Sequence, residues 1–307
     1  MMIAQAIVDG VLGGAIVALG AIGVTFSLAI LRFANFAHGE LLATGAYAAL
    51  FVVLVLIGGA GAPSWLVSLG PFSFGAGLLL ALAFALAVTV AVALALDALV
   101  YRRLRARGAE ALTLVFASFG LALVVRHLLL LAFGHDPYQY STEIQLAVTL
   151  PLAVRVMPDQ VLVFVLTAAV LAALGWFLQR TRAGLAMRAM AENPALASVA
   201  GIDLAATTRL TWTVSALLAA LAGVGYGVTV QLRPEMGINL LLPMFTAAIV
   251  GGVGRVGGAV AGALAISVAE NLAALVIPHA FKPMVAFVVL LAVLAWRPQG
   301  LFAPKAA

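Results

Sequence analysis

Cysteine is absent from the 307-residue chain. Its absence excludes disulfides, thiolate catalysis and cysteine metal sites, and it leaves the redox compartment open. Charge is scarce as well. Only 9% of residues are Asp, Glu, Lys or Arg, where a soluble domain would carry roughly a quarter. Lysine occurs only as Lys282 and Lys305, neither of which follows a glycine-rich turn. A P-loop, which needs such a turn ahead of Lys and Ser/Thr to hold phosphates, is thereby excluded. The apolar runs lack period-two alternation, which excludes a transmembrane β-barrel. There is no HExxH, no Ser/His/Asp spacing and no second histidine at ligand distance from His38, so neither a metal centre nor a catalytic residue is expected.

What is present is hydrocarbon. Hydrophobic residues make up 65% of the chain and the mean hydropathy is +1.21. Several runs exceed the roughly 18–20 apolar residues that cross a bilayer as a helix. Spans are expected at about 11–31, 37–58, 72–100, 111–133, 160–178, 210–231, 257–277 and 283–296. A weaker stretch, 238–254, contains Pro243 and several glycines, the pattern of a broken or re-entrant helix. The expected fold is an all-α polytopic membrane protein of about 8–9 spans with interrupted segments, a single domain over 1–307.

The 16 basic residues outnumber the 11 acidic ones, and their positions say more than their sum. Arg102, Arg103, Arg105 and Arg107 crowd one loop, and Arg180, Arg182, Arg188 and Arg209 another. The intervening loop 134–160 holds one Arg against Asp136, Glu143 and Asp159. Basic loops stay in the cytoplasm, so the first two are placed inside and the third outside. The tail, with Arg297 and Lys305, also reads as inside, and counting back puts the N-terminus outside. The first segment carries Asp9 and no basic residue ahead of its apolar core, which reads as a retained helix rather than a signal peptide.

Glycine is frequent, at 30 residues, often at small-residue spacing as in "GVLGGAIVALGAIG" and "GAVAGALA". Such spacing lets helix backbones approach closely in lipid. Phe33–Tyr47 and Phe245–Ala259 share a loose pattern: an aromatic residue, a Gly-containing polar break, then a small-residue helix. Paired interruptions of this kind mark pathways in transporters.

The stretch "LRFANFAHGELLATGAY" sets Asn35, His38 and Glu40 near the join of the first two spans. Polar groups at membrane depth are costly; they face a bundle interior or a watery path. Two readings stand: the group lines a path, or it satisfies backbone freed by an interrupted helix. Path candidates are Asn35, His38, Thr44, Tyr47, Ser118 and Thr246. Arg126 and His127 are expected to pair with Asp97 or to snorkel, Glu270 and Asn271 to hold a subunit interface, and Arg255 to sit at a cytoplasmic turn.

The cytoplasmic connection, about 179–209, encodes a short helix. Asn193 suits its cap, Pro194 its first position, and Gly201 its end. A compact helix between basic flanks suits docking of a soluble partner, and a plain solvated connector is the other reading.

"GLAMRAMAENPALASVAGID" resembles the cytoplasmic signature of the branched-chain amino acid permeases of bacterial ABC importers. "RFANFAHGELLATGAY" resembles their first-half motif, nearer the LivH-type subunit than its partner. "FTAAIVGGVGRVGGAVAGALAISVAEN" resembles their second-half glycine-rich segment, and "RPQGLF" their ending. The four motifs run in the family's order from residue 31 to 302. The resemblance implies that residues 188–203 form the helix coupled to an ATPase, with Arg188, Glu192, Asn193, Pro194, Gly201 and Asp203 as its contact candidates. It implies inward transport across the bacterial inner membrane, with no cofactor held by this chain. A second, LivM-like permease, two cytoplasmic ATPases that use ATP and an extracytoplasmic binding protein would complete the assembly; no nucleic acid is expected. A low-charge path suits branched-chain and other hydrophobic amino acids. Urea or short amides, carried by related permeases, are the alternative solutes. An ion-coupled secondary transporter is the alternative mechanism, although Glu270 is the only acidic residue well inside a late span. A membrane-embedded enzyme would need a convergent catalytic set.

Overall fold

The computed structural model describes residues 2–56, 66, 70–141, 145–150, 154–278, 281–297 and 299–301. Glu143 and Lys305, used above for orientation, lie outside them, as do residues 57 and 58 of the second expected span and Pro298 and Phe302 of the ending motif. Helix α1 (Met2–Leu31) closes in a π turn at Ser27–Leu31. It is followed by α2 (His38–Leu56), by α3 (Gly77–Ala106), which has a second π turn at Asp97–Tyr101, and by α4 (Ala111–Phe133). A short antiparallel pair, β1 (Val148–Leu150) and β2 (Val154–Val156), sets Thr149 opposite Arg155. Then come α5 (Pro158–Arg180), α6 (Arg182–Glu192), α7 (Pro194–Val199) and α8 (Leu204–Thr229). The last three helices are α9 (Met236–Gly251), α10 (Val256–Ala273) and α11 (Lys282–Trp296).

Among the described residues, seven helices are long and apolar enough to cross a membrane, and α9 and α11 are shorter apolar ones. Long runs of Leu, Ala and Val become helix here because every backbone polar group in lipid must be satisfied within its own segment. The all-α membrane fold is as expected, and the small β pair was not foreseen. The first span begins at Met2, well before residue 11.

Burial identifies the axis of the bundle. The apolar window of α1 is 89% buried inside the chain, against 22%, 22% and 17% for α3, α4 and α5. Those three turn side chains such as Leu79, Phe116 and Val165 outward, where hydrocarbon is as good a solvent as protein. Gly10 and Gly14 of α1 let Val268 and Leu264 of α10 approach at backbone distance.

Gln5 joins the N-terminal end of α1 to the β pair, donating to Arg155 O at 2.9 Å and accepting from Arg155 N at 2.8 Å. Asp159 accepts from both the hydroxyl and the backbone N–H of Ser73 on the same face. Tyr138 and Leu232 form an isolated bridge there too. The opposite face carries both arginine-rich connections and the turn between α9 and α10, where Leu301 N donates to Val250 O at 2.8 Å.

Two interruptions meet inside the bundle. Residues 32–37 separate α1 from α2, and residues 230–235 separate α8 from α9. The first climbs from the arginine-rich face; the second descends from the other. The helices they release, α2 and α9, therefore start close together and run in opposite directions. Gly39 and Gly237, each in the first turn of its helix, touch backbone to backbone, and a Cβ on either would overlap the other's carbonyl. The partner of the first interruption is thus 230–235 rather than the 245–259 region, which holds the end of α9, the turn 252–255 and the start of α10. Pro243 likewise lies inside an unbroken α9; the expected interruption falls before it.

Glu40 stands at this meeting point. Its carboxyl group lies against Gly237, in the first turn of α2, so two helix N-termini present their partial positive charge to it. Arg126 of α4 completes the site, its Nε at 3.2 Å and an Nη at 2.7 Å from Glu40 Oε1. Arg126 therefore does not pair with Asp97, which takes Arg105 instead. His127 turns to Leu123 O on the exposed side of α4.

Two outcomes follow for thermal unfolding in detergent. Gly39→Val forces the α2 and α9 backbones apart and costs about 1–3 kcal/mol, the usual range for overpacking. Arg126→Ala strands a buried carboxylate and costs roughly 3–5 kcal/mol, whereas the double replacement of Arg126 by Met and Glu40 by Leu costs much less. Equal losses for the single and double variants would exclude the pair as the cause.

Candidate functional site

The interruption 32–37 is built from side chains that replace helical hydrogen bonds. Arg32 takes a left-handed conformation, φ 60°, and its N–H closes the π turn onto Ser27 O. Among the described residues it is the only non-glycine with positive φ. Asn35 then makes an Asx turn: its Oδ1 accepts from Ala37 N at 3.1 Å, and its carbonyl accepts from His38 N at 3.2 Å. The same Oδ1 accepts from the Tyr101 hydroxyl at 3.2 Å. Ser118 Oγ accepts from Phe36 N at 3.0 Å and lies 2.7 Å from Val115 O. Measured along α4 from Ala111, Ser118 lies about 10 Å from the arginine-rich end and Arg126 about 22 Å. The interruption thus climbs to mid-depth before α2 begins.

Aromatic rings pack both sides of it. Phe33, Tyr101 and Trp212 form one cluster, with Tyr101 stacked on Trp212 and tilted to Phe33, its ring centred 5.1 Å from each. Phe36 meets Phe245 at 5.5 Å and Phe119 at 6.3 Å, which brings the neighbours Thr246 and Ser118 to the same region.

The path candidates are all buried in this chain. Asn35 and Ser118 support the interruption. His38 lies against α1, its Nε2 at 3.1 Å from Gly20 O and its ring on Gly23. Thr44 Oγ1 donates back to Glu40 O at 2.7 Å. Tyr47 packs against Phe133 in a tilted arrangement at 4.9 Å. Asn35 Nδ2, His38 Nδ1, the Tyr47 hydroxyl and Thr246 Oγ1 are buried without a hydrogen-bond partner. Tyr101, Trp212 and Tyr140 were not singled out from the sequence. Tyr140 donates to Ala46 O at 2.8 Å, and burial raises its hydroxyl well above the ordinary phenol range, which keeps that donor in place.

The connection 179–209 folds as its residues dictate. Thr181 caps α6 by accepting from Gly184 N at 3.0 Å. Asn193 ends α6 and caps α7, accepting from Ala195 N and Leu196 N at 3.0 and 3.1 Å. Pro194 is the first residue of α7. Gly201 turns the chain at φ +83°, and Asp203 caps α8 through Ala205 N and Ala206 N. Arg188, Glu192, Asn193, Gly201 and Asp203 are exposed and Pro194 half-buried. Leu196 and Val199 of α7 are also exposed, at 67% and 87%. Met187, on the other side of α6, is fully buried in the same core as Ile30 and Leu31. Helix α6 therefore sits directly on the π turn that leads into the interruption.

The family described as branched-chain amino acid transport system / permease component matches residues 6–294. Over 97% of the chain, it is 33% identical to the high-affinity branched-chain amino acid transport system permease protein BraD of Pseudomonas aeruginosa, covering 94% of that protein. The permease protein LivH of Salmonella typhimurium is 29% identical and that of Escherichia coli K12 28%, each over 97% of the chain and 94% of the relative. No solved structure matches the chain at a significant level. Motif order, helical membrane fold and a match over nearly the full length agree, and the protein belongs to the branched-chain amino acid transport permease family.

Proposed function

We propose that the protein is the membrane permease subunit of an ABC importer that moves branched-chain amino acids inward across a bacterial inner membrane. ATP is hydrolysed by two separate cytoplasmic subunits, a homologous permease completes the path, and an extracytoplasmic binding protein delivers the solute. This chain holds no cofactor and performs no covalent chemistry. In this reading 179–209 is the coupling segment. Leu196 and Val199 give the ATPase an apolar contact, while Arg188, Glu192, Asn193, Pro194, Gly201 and Asp203 fix and surround it.

The observation that carries the proposal is the packing of α6 on the Ser27–Leu31 turn. A push on α6 from the cytoplasm reaches the chain interruption through one layer of side chains. There Asn35, His38, Thr44, Tyr47, Ser118 and Thr246 hold the wall of the path. The buried, unpartnered atoms among them find partners when the helices shift.

The test is uptake of labelled leucine into vesicles carrying this chain with its permease, ATPase and binding-protein partners, with urea as unlabelled competitor. The expected result is saturable uptake that needs ATP and resists urea. Gly201→Leu places a side chain at positive φ, at a local cost of about 1–2 kcal/mol, and should abolish uptake. Replacing Leu196 or Val199 by Asp should abolish ATPase association and leave the thermal stability of the chain unchanged. Urea competition without saturable leucine uptake would reassign the solute. Uptake driven by an ion gradient without the ATPase would overturn the mechanism.

A further inference from the structure

Resting on that reading, the geometry points to a binding site for an α-amino acid zwitterion within this chain, in a polar cavity between α1, α5, α8, α9, α10 and the start of α11. The cavity has a volume of about 330 Å³ and is distinct from the interruption at 32–37. It opens at the face opposite the arginine-rich loops, where a solute would arrive.

Its polar lining is of both signs. Asp9 comes from α1, Ser267, Glu270 and Asn271 from α10, and Lys282 from α11. Lys282 Nζ donates to Asn271 Oδ1 at 3.0 Å, and Asn271 is itself anchored by its donation to Ser267 O at 2.8 Å. An ammonium carries three donors, so Lys282 keeps two for another acceptor. Glu270 Oε1 is buried without a hydrogen-bond partner. Ser267, only 3% exposed, also lines the cavity with an unpartnered Oγ. Glu270 and Lys282 thus share one cavity without closing on each other as an ion pair.

Opposite charges held apart in an apolar bundle are costly unless something bridges them. A zwitterion does so: its carboxylate takes the free Lys282 donors and its ammonium donates to Glu270 Oε1 and Ser267 Oγ. The remaining wall includes Leu12, Val163 and Leu240, which suits an aliphatic side chain. Ligand cavities begin at about 300 Å³, so the volume admits one amino acid. A neutral amide leaves the lysine unmatched, and a fatty acid leaves the glutamate unmatched.

The test is direct binding of L-leucine to the purified full chain in nanodiscs, followed by ligand-observed NMR titration against empty nanodiscs. Leucine should bind, with L-leucinamide and 4-methylpentanoate each weaker by roughly tenfold or more, as expected for loss of a charge-assisted contact. Lys282→Met and Glu270→Gln should each weaken leucine binding by about tenfold, and Leu240→Trp should abolish it by filling the cavity with the charges intact. The analogue titrations and Leu240→Trp carry the test if a charge variant does not fold. No leucine binding, equal binding of leucinamide, or binding unchanged in folded Lys282→Met would overturn the site. Uptake by the full assembly separates the two readings. Normal uptake with unaltered kinetics in Lys282→Met overturns this site and leaves the permease reading. Leucine binding by the chain, with no uptake by any complete assembly, overturns the permease reading and leaves the site.

Discussion

Two helices that begin in the middle of a membrane protein, nose to nose, create an electrostatic demand that the rest of the bundle must meet. Their first N–H groups lack helical acceptors and their dipoles converge with the same sign. Glu40 sets its carboxylate where the two dipoles converge, and Arg126 balances Glu40. Neither group would be tolerated alone at that depth. Together they fasten α2 to α4 and hold the α9 N-terminus against both. The absence of side chains at Gly39 and Gly237 is what permits the close approach, so charge and shape are solved at one point.

The connection 179–209 is built on a different principle. Every turn in it is closed locally, by Thr181, Asn193, Gly201 and Asp203, and it needs little from the bundle to fold. Its few buried residues, chiefly Met187, Met190 and Ala197, tie it down. A segment that is locally rigid and globally attached along one side transmits displacement as a unit, because packed side chains do not compress. The exposed apolar residues on α7 fall on its far side, away from the attachment.

What could be read in the sequence divides along the same lines. The cap–Pro–Gly pattern of 193–201 is a local code, and the helix it specifies is the one that forms. The long apolar runs were legible for the same reason. Pairings between distant positions were not. Arg126 and Glu40 are separated by 86 residues, and nothing in the sequence favoured that pair over Arg126 with Asp97. Pro243 suggested an interruption because it removes one hydrogen bond, yet α9 passes through it unbroken. The break at 230–235 carries Arg233, Pro234 and Glu235 and falls between the expected segments 210–231 and 238–254, whereas the contact of Gly237, just beyond it, with Gly39 was not legible. At the candidate path, the polar residues near 35–47 were legible as a group, while their aromatic supports, Tyr101 and Trp212, come from other helices and were not.

The two π turns, Ser27–Leu31 and Asp97–Tyr101, occupy the arginine-rich end of adjacent parts of the structure. The second ends at Tyr101, whose hydroxyl reaches Asn35. A π turn holds one residue more than an α turn. Each is therefore a stored register step: winding it down to α geometry rotates everything beyond it by about 100° and moves it by about 1.5 Å along the axis. The chain thus carries slack on both sides of Asn35, in whole-residue increments, at the place where a displacement of α6 would arrive.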